Sequence, residues 1–166
     1  PLSASEQYLV QKWLVLYLYS RYAFRLEPAS WQIKASDKGN TLLRKRGSRN
    51  YTVTHRDHKS VATMGTNEIK LDLTTSRLLG KYLPRIKGRD HDYLLSNKDG
   101  TKMNAPALSK LIIRLTTKLL HKKIGVRQAR IMKVTSMKDT IGEVERLARQ
   151  MGHTTSMQKT YIRKKD

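Results

Sequence analysis

Hydrophobic and polar positions along the chain change period three times. The stretch SASEQYLVQKWLVLYLYSRY opens with Ser3 and Glu6 at the spacing of a capping box. Leu9, Trp13, Leu16, Tyr17 and Ser20 then recur at helical intervals and predict an amphipathic helix. AFRLEPASWQI, around Pro28, reads as an irregular piece with one helical turn. From Thr41 to Leu73 the pattern turns to short alternating segments: TLLRK, NYTVTH, VATM and EIKLDL. They are separated by RGSRN, RDHKS and GTN, which is turn chemistry, and they predict a small antiparallel sheet of about three strands.

The rest of the chain is helical in period. TTSRLLGKYLPRI predicts a short helix ended by Pro84. In NAPALSKLIIRLTTKLLHKKIG, Asn104 is a cap and Pro106 falls in the first turn. Leu108, Leu111, Ile112, Leu115 and Leu119 form its stripe, and Gly125 is its expected stop. RQARIMKVTSM continues as helix. TIGEVERLARQMG follows, with Thr140 and Glu143 as a capping box, Val144, Leu147, Ala148 and Met151 as its buried face, and Gly152 as its stop. Thr155 and Gln158 repeat the capping spacing and place Tyr161 on a short last helix. Helix, small sheet, then several helices describes an α+β domain, mostly helical. The 166 residues suit one domain with a real core.

Charge narrows the choice of partner. Lys and Arg number 34 against 13 acidic residues, a formal charge of +21. Such an excess repels itself in the compact state and calls for a polyanion. Nucleic acid is favoured over a membrane surface, because the basic residues are spread along the chain and not gathered in one cluster. The most apolar run, YLVQKWLVLYLY, is broken by Gln11 and Lys12 and is too short to span a bilayer. Absence of Cys excludes disulfides and thiolate metal sites and points to a reducing compartment. The five His show no metal-ligand spacing, and no signal peptide is visible. The first residue is Pro, so a fragment or a processed chain is expected.

A side chain that attacks a phosphodiester needs cations around the non-bridging oxygens and an acid for the leaving oxygen. The chain offers Arg25 after its first helix, Lys59 in a turn between strands, Arg127 and Arg130 three apart, and then His153 and Tyr161. Taken singly, each has a plain structural alternative: a packing Tyr, a His at a helix end, a solvated turn Lys, a cationic surface. Their conjunction, in this order and on these elements, is what carries weight.

In that conjunction the chain resembles the catalytic domain of the tyrosine recombinases, the phage-integrase family. MGHTTSMQKTY resembles the family's Gly-His turn ahead of the Tyr nucleophile, FRLEPASWQI its first Arg box, and DHKSVATMGTNEIKL its Lys hairpin. The likeness runs from about Leu9 to Tyr161, and the spacing is nearer to the eukaryotic-transposon and large-DNA-virus branch. Two departures stand out. GVRQARIM has Arg127 where most members have His, and Ile131 where many have a second His. Glu27 lies two residues after Arg25, where the bacterial pattern has three. Arg21, at the end of the first helix, competes with Arg25 for the first Arg position.

The resemblance implies DNA strand cleavage and rejoining. Tyr161 would attack the scissile phosphate to give a 3′-phosphotyrosine and a free 5′-hydroxyl. Arg25, Arg130 and His153 would hold the non-bridging oxygens, Arg127 would add a contact, and Lys59 would protonate the leaving oxygen. No metal or other cofactor is implied. Arg44, Lys45, Arg46, Arg49, Arg56, Lys122, Lys123, Arg163 and Lys164 would contact the backbone of double-stranded DNA. The resemblance further implies a homotetramer on DNA for the full-length protein, a monomer for the isolated domain, an N-terminal DNA-clamping domain missing before Leu9, and an intracellular place with the DNA. A catalytically silent DNA-binding relative, and a type IB topoisomerase or telomere resolvase, are the alternatives.

Overall fold

The structure, a computed structural model, describes residues 2–57, 65–86, 88–136, 145, 146 and 148. Helix α1 spans Ala4–Arg21 and begins with the reciprocal capping box of Ser3 and Glu6. Three strands follow, β1 (Thr41–Arg44), β2 (Tyr51–His55) and β3 (Asn67–Lys70). They form an antiparallel sheet in the order β1-β2-β3. Helix α2 (Leu73–Tyr82) gives way at its end to a 3-10 turn, Leu83–Ile86, which holds Pro84. Helices α3 (Ala105–Leu120) and α4 (Val126–Ser136) follow. The expected α+β order is therefore present. VATM and the last helix with Tyr161 lie outside the described residues, as does most of TIGEVERLARQMG, of which Ala148 is buried.

The sheet is narrow, and one cross-strand row anchors it. Leu42 pairs with Val53 and Val53 with Ile69, all three buried, so a single apolar line runs across the strands into the core. An extended segment beside the sheet bridges Gln32 to Thr41 on one side and to Tyr93 on the other. Trp31, at 0% exposure, sits at the start of that segment. Its ring meets Phe24 edge-on at 4.9 Å, and Phe24 stacks on Tyr22 at 5.0 Å. These aromatic rings tie the chain leaving α1 to the sheet, which is why residues 22–27 have a defined place.

Helix α1 buries a different face from the one its pattern suggested. Leu14, Val15, Leu18 and Tyr19 are inside together with Gln11, whereas Leu9 is 65% and Trp13 54% exposed. The helix is apolar nearly all round, so period alone does not select a side. The choice is made by Gln11, whose Nε2 donates to the Ser96 carbonyl at 2.7 Å and whose Oε1 accepts the Ser96 N–H at 2.9 Å. A buried amide satisfied this way is tolerated, and Trp13 instead stacks on Tyr17 at the surface.

Helix α3 also ends earlier than its glycine suggested. His121 adopts a left-handed conformation (φ 53°) and stops the helix after Leu120, leaving Leu119 58% exposed. Gly125 serves the next helix: its N–H donates to the Gln128 side chain and its carbonyl accepts from Ala129. None of the described helices is long and apolar enough to cross a membrane.

Candidate active site

The site grows from the five residues after α1. Tyr22 closes the helix by donating its N–H to the Leu18 carbonyl, and the chain then runs extended through Ala23 and Phe24, both buried. Arg25 follows, half-buried, and a 3-10 turn, Glu27–Ser30, carries Pro28 at its start. Two side chains from elsewhere grip this segment. The Tyr19 hydroxyl donates to the Arg25 carbonyl, and Arg130 Nε donates to the Ala23 carbonyl at 3.1 Å. Burial pushes the Tyr19 hydroxyl well above its ordinary pKa, so it stays a neutral donor.

Arg130 is 6% exposed on α4. It is brought to the Arg25 segment because α4 packs on α1. Half-buried Glu27 lies near enough to both arginines to feel their charge. Burial pushes its carboxyl up from the ordinary range, and the nearby Arg25 and Arg130 guanidinium groups only partly offset that. Among the described residues its Oε2 accepts no hydrogen bond. Two guanidinium groups near one carboxyl leave this corner net positive, an environment suited to an anion. Arg127 lies one turn earlier on α4 and is exposed.

Arg21 goes elsewhere. Its guanidinium pairs with Asp72 at 3.7 Å, at the N-cap of α2. Asp72 also accepts from the Tyr22 hydroxyl at 2.6 Å and the Thr75 N–H at 2.8 Å. Burial raises its carboxyl, but these donors together hold it below the ordinary range. Burial and Asp72 push Tyr22 up to about 12. Arg21 is thus engaged with Asp72, whereas Arg130 bonds to the backbone of the segment that carries Arg25.

Beside this cluster stands a second buried group that periodicity did not single out. His55, the last residue of β2, is 3% exposed, and its Nε2 accepts from Trp31 Nε1 at 3.0 Å. An indole N–H can only donate, so the neutral imidazole carries its proton on Nδ1. The only hint in the sequence was an alternating strand ending in a histidine. Lys59, His153 and Tyr161 lie outside the described residues, as do Arg163 and Lys164.

The basic residues expected on DNA are mostly on the surface. Arg44 ends β1 and covers the Tyr51 ring at 5.7 Å. Arg46 and Arg49 are exposed between β1 and β2, whereas Lys45 is tied to Glu68 at 2.9 Å. Arg56 is half-buried and reaches Thr41 Oγ1 at 3.4 Å. Lys122 and Lys123 are exposed between α3 and α4.

Comparison with solved structures places this fold. A XerA recombinase crystal structure matches with a TM-score of 0.70 and 16% identity over 98% of this chain and 57% of that chain. The XerH site-specific recombinase bound to its difH substrate, a pre-cleavage complex, matches with a TM-score of 0.67 and 16% identity over 100% of this chain and 46% of that one. The Tn1549 transposon integrase in complex with transposon right-end DNA matches with a TM-score of 0.58 and 15% identity, over 92% and 54% respectively. At these identities the likeness is one of fold: the chain has the tyrosine-recombinase catalytic-domain fold. It spans about half the length of the solved chains it matches. No protein-family model matches the sequence, and no curated protein does so at a significant level.

Proposed function

We propose that the chain cuts and rejoins double-stranded DNA through a phosphotyrosine, as the catalytic domain of a site-specific recombinase or integrase. The observation that supports this reading is the bond from buried Arg130 to the Ala23 carbonyl, which ties α4 to the segment that carries Arg25, on a recombinase fold. In the proposed step the Tyr161 Oη–P bond forms and the P–O5′ bond breaks. The tyrosyl proton is released to solvent, and Lys59 gives a proton to the departing 5′-oxygen. Arg25 and Arg130 hold the non-bridging oxygens, with Arg127 and His153 as further donors. Charge stabilisation of this kind is the main lever in phosphoryl transfer. The bond energy kept in the 3′-phosphotyrosine lets a second 5′-hydroxyl reverse the step without ATP. Arg44, Arg46, Arg49, Arg56, Lys122, Lys123, Arg163 and Lys164 contact the DNA backbone, and the full-length protein acts as a tetramer.

The test is an adduct assay with the full-length protein and a pool of nicked duplexes. Wild type should give SDS-stable protein–DNA adducts, and Tyr161→Phe none. Salt-dependent binding without adducts would identify a silent DNA-binding relative. Relaxation of supercoiled DNA by a lone protomer would favour topoisomerase action over recombination.

A further inference from the structure

Pro28 leaves one carbonyl of the site segment short of a backbone partner. In a 3-10 turn each N–H donates to the carbonyl three residues back. The Leu26 carbonyl is served in this way, by the Ala29 N–H at 3.1 Å. The carbonyl one residue earlier, that of Arg25, would look to residue 28, and a proline has no N–H to give. The donor comes instead from Tyr19, in the last turn of α1, whose hydroxyl reaches the Arg25 carbonyl.

This bond falls at the joint of the segment. Before Arg25 the chain is held at two residues. The Ala23 carbonyl accepts from Arg130 Nε at 3.1 Å, and Phe24, fully buried, packs against Tyr22, Trp31 and His55. After Arg25 the 3-10 turn closes on itself, with the Ser30 hydroxyl donating to the Glu27 carbonyl at 2.8 Å. Tyr19 holds the peptide unit between these two parts. That unit is planar, so fixing its oxygen restricts rotation about the bond from the Arg25 Cα to its carbonyl carbon. The side chain departs from that Cα, about 1.5 Å away. Tyr19 is 6% exposed, and burial keeps its hydroxyl protonated at neutral pH, with Glu27 acting in the same sense and Arg130 against it.

We infer that Tyr19 is a positioning residue, whose hydroxyl fixes the direction in which Arg25 leaves the backbone and so the hold of Arg25 on the phosphate. This rests on the reading above that Arg25 holds a non-bridging oxygen. Tyr19 acts through Arg25 and takes no part in the bonds made or broken. Misplacement of a catalytic group by about 1 Å costs on the order of 10²-fold in rate, and loss of one hydrogen bond behind it should cost about tenfold.

The experiment is a double-mutant cycle in the full-length protein, on a nicked duplex chosen from a pool by adduct formation with wild type. Tyr19→Phe keeps the ring, which packs in the core and lines the apolar groove between α1, α3 and α4, and removes only the hydroxyl. It should slow single-turnover cleavage about tenfold. Arg25→Ala should slow it by about 10²-fold or more. The double variant should be within about twofold of Arg25→Ala alone, because a hydroxyl that acts through Arg25 has nothing left to position. A residue that merely supports the fold would slow both backgrounds alike. In the free protein, labelled with 13C-carbonyl arginine and 15N-leucine, the Arg25–Leu26 signal should move upfield in Tyr19→Phe as its carbonyl loses a donor. The Arg77–Leu78 and Arg114–Leu115 signals, from within α2 and α3, should stay in place.

Cleavage by Tyr19→Phe at the wild-type rate, or equal slowing with and without Arg25, overturns the proposal while Arg25→Ala stays slow. An unmoved Arg25 carbonyl signal overturns it without reference to activity. If Arg25→Ala cleaves as fast as wild type, or if wild type forms no adduct on any duplex, the underlying reading falls and the proposal with it.

Discussion

Arg130 Nε donates to the carbonyl oxygen of Ala23 at 3.1 Å, joining residues 107 positions apart in the chain. The bond makes one arginine both a structural clamp and a part of the cluster it clamps. Removing it in Arg130→Ala strips a buried carbonyl of this donor and should cost about 1–3 kcal/mol, read from urea denaturation. Arg130→Lys should recover part of that stability yet lower DNA cleavage by about 10²-fold, because an ammonium does not reproduce the planar fork. Cleavage by Arg130→Lys at the wild-type rate would remove the residue from the chemistry.

Glu27 gives the cluster a pH signature. Its folded-state carboxyl is raised by burial, so between the unfolded value and the raised one the folded protein binds more protons. Stability from this group is then fully present below the unfolded pKa and is lost as pH rises through the folded one. Glu27→Gln has no proton to lose. Its Tm relative to wild type should therefore improve as pH rises from about 4 and level off once the raised folded pKa is passed. A Tm difference independent of pH would contradict the raised value.

Phe24 links the site segment to the core. It is 0% exposed and sits between Tyr22, Trp31 and His55, at 5.0, 4.9 and 6.1 Å. Phe24→Ala should cost about 3–5 kcal/mol, of the order of the whole margin of many domains. Phe24→Leu should cost less, and a loss of cleavage in Phe24→Leu beyond its loss of stability would show that ring packing also sets Arg25. Chemical denaturation and the adduct assay on the same samples separate the two effects.

The connection between β1 and β2 makes the DNA contribution countable. Arg46 and Arg49 are exposed, whereas Lys45 is already engaged with Glu68. Arg46→Gln and Arg49→Gln should each flatten the log–log salt dependence of DNA binding by up to about 0.9. Lys45→Gln should change it less. Equal effects at all three would mean that the Lys45–Glu68 pair opens on DNA.

Among the described residues, the elements were legible where period and capping agreed. Ser3 with Glu6, Asn104 with Pro106, and the Leu108–Leu111–Ile112–Leu115 stripe all lie where the pattern put them. The pattern failed where several faces were equally apolar: α1 turned on the hydrogen bonds of Gln11, a long-range partner that no local window contains. It failed again at His121, whose left-handed conformation ended α3 ahead of the glycine. Arg25 and Arg130 of the proposed site were singled out from order and context. Asn40 left no such trace, since its hydrogen-bond partners Ser30, Arg56 and Asp57 lie in segments that only the fold brings together.

The most direct measurement is the covalent bond itself. The full-length protein would be trapped on the nicked duplex, digested with nuclease and trypsin, and the adducted peptide sequenced by mass spectrometry. A nucleotide 3′-phosphate on Tyr161, with the cut strand bearing a 5′-hydroxyl, is the predicted result. A nucleotide on any other residue, or a 5′-linked adduct, would contradict the account.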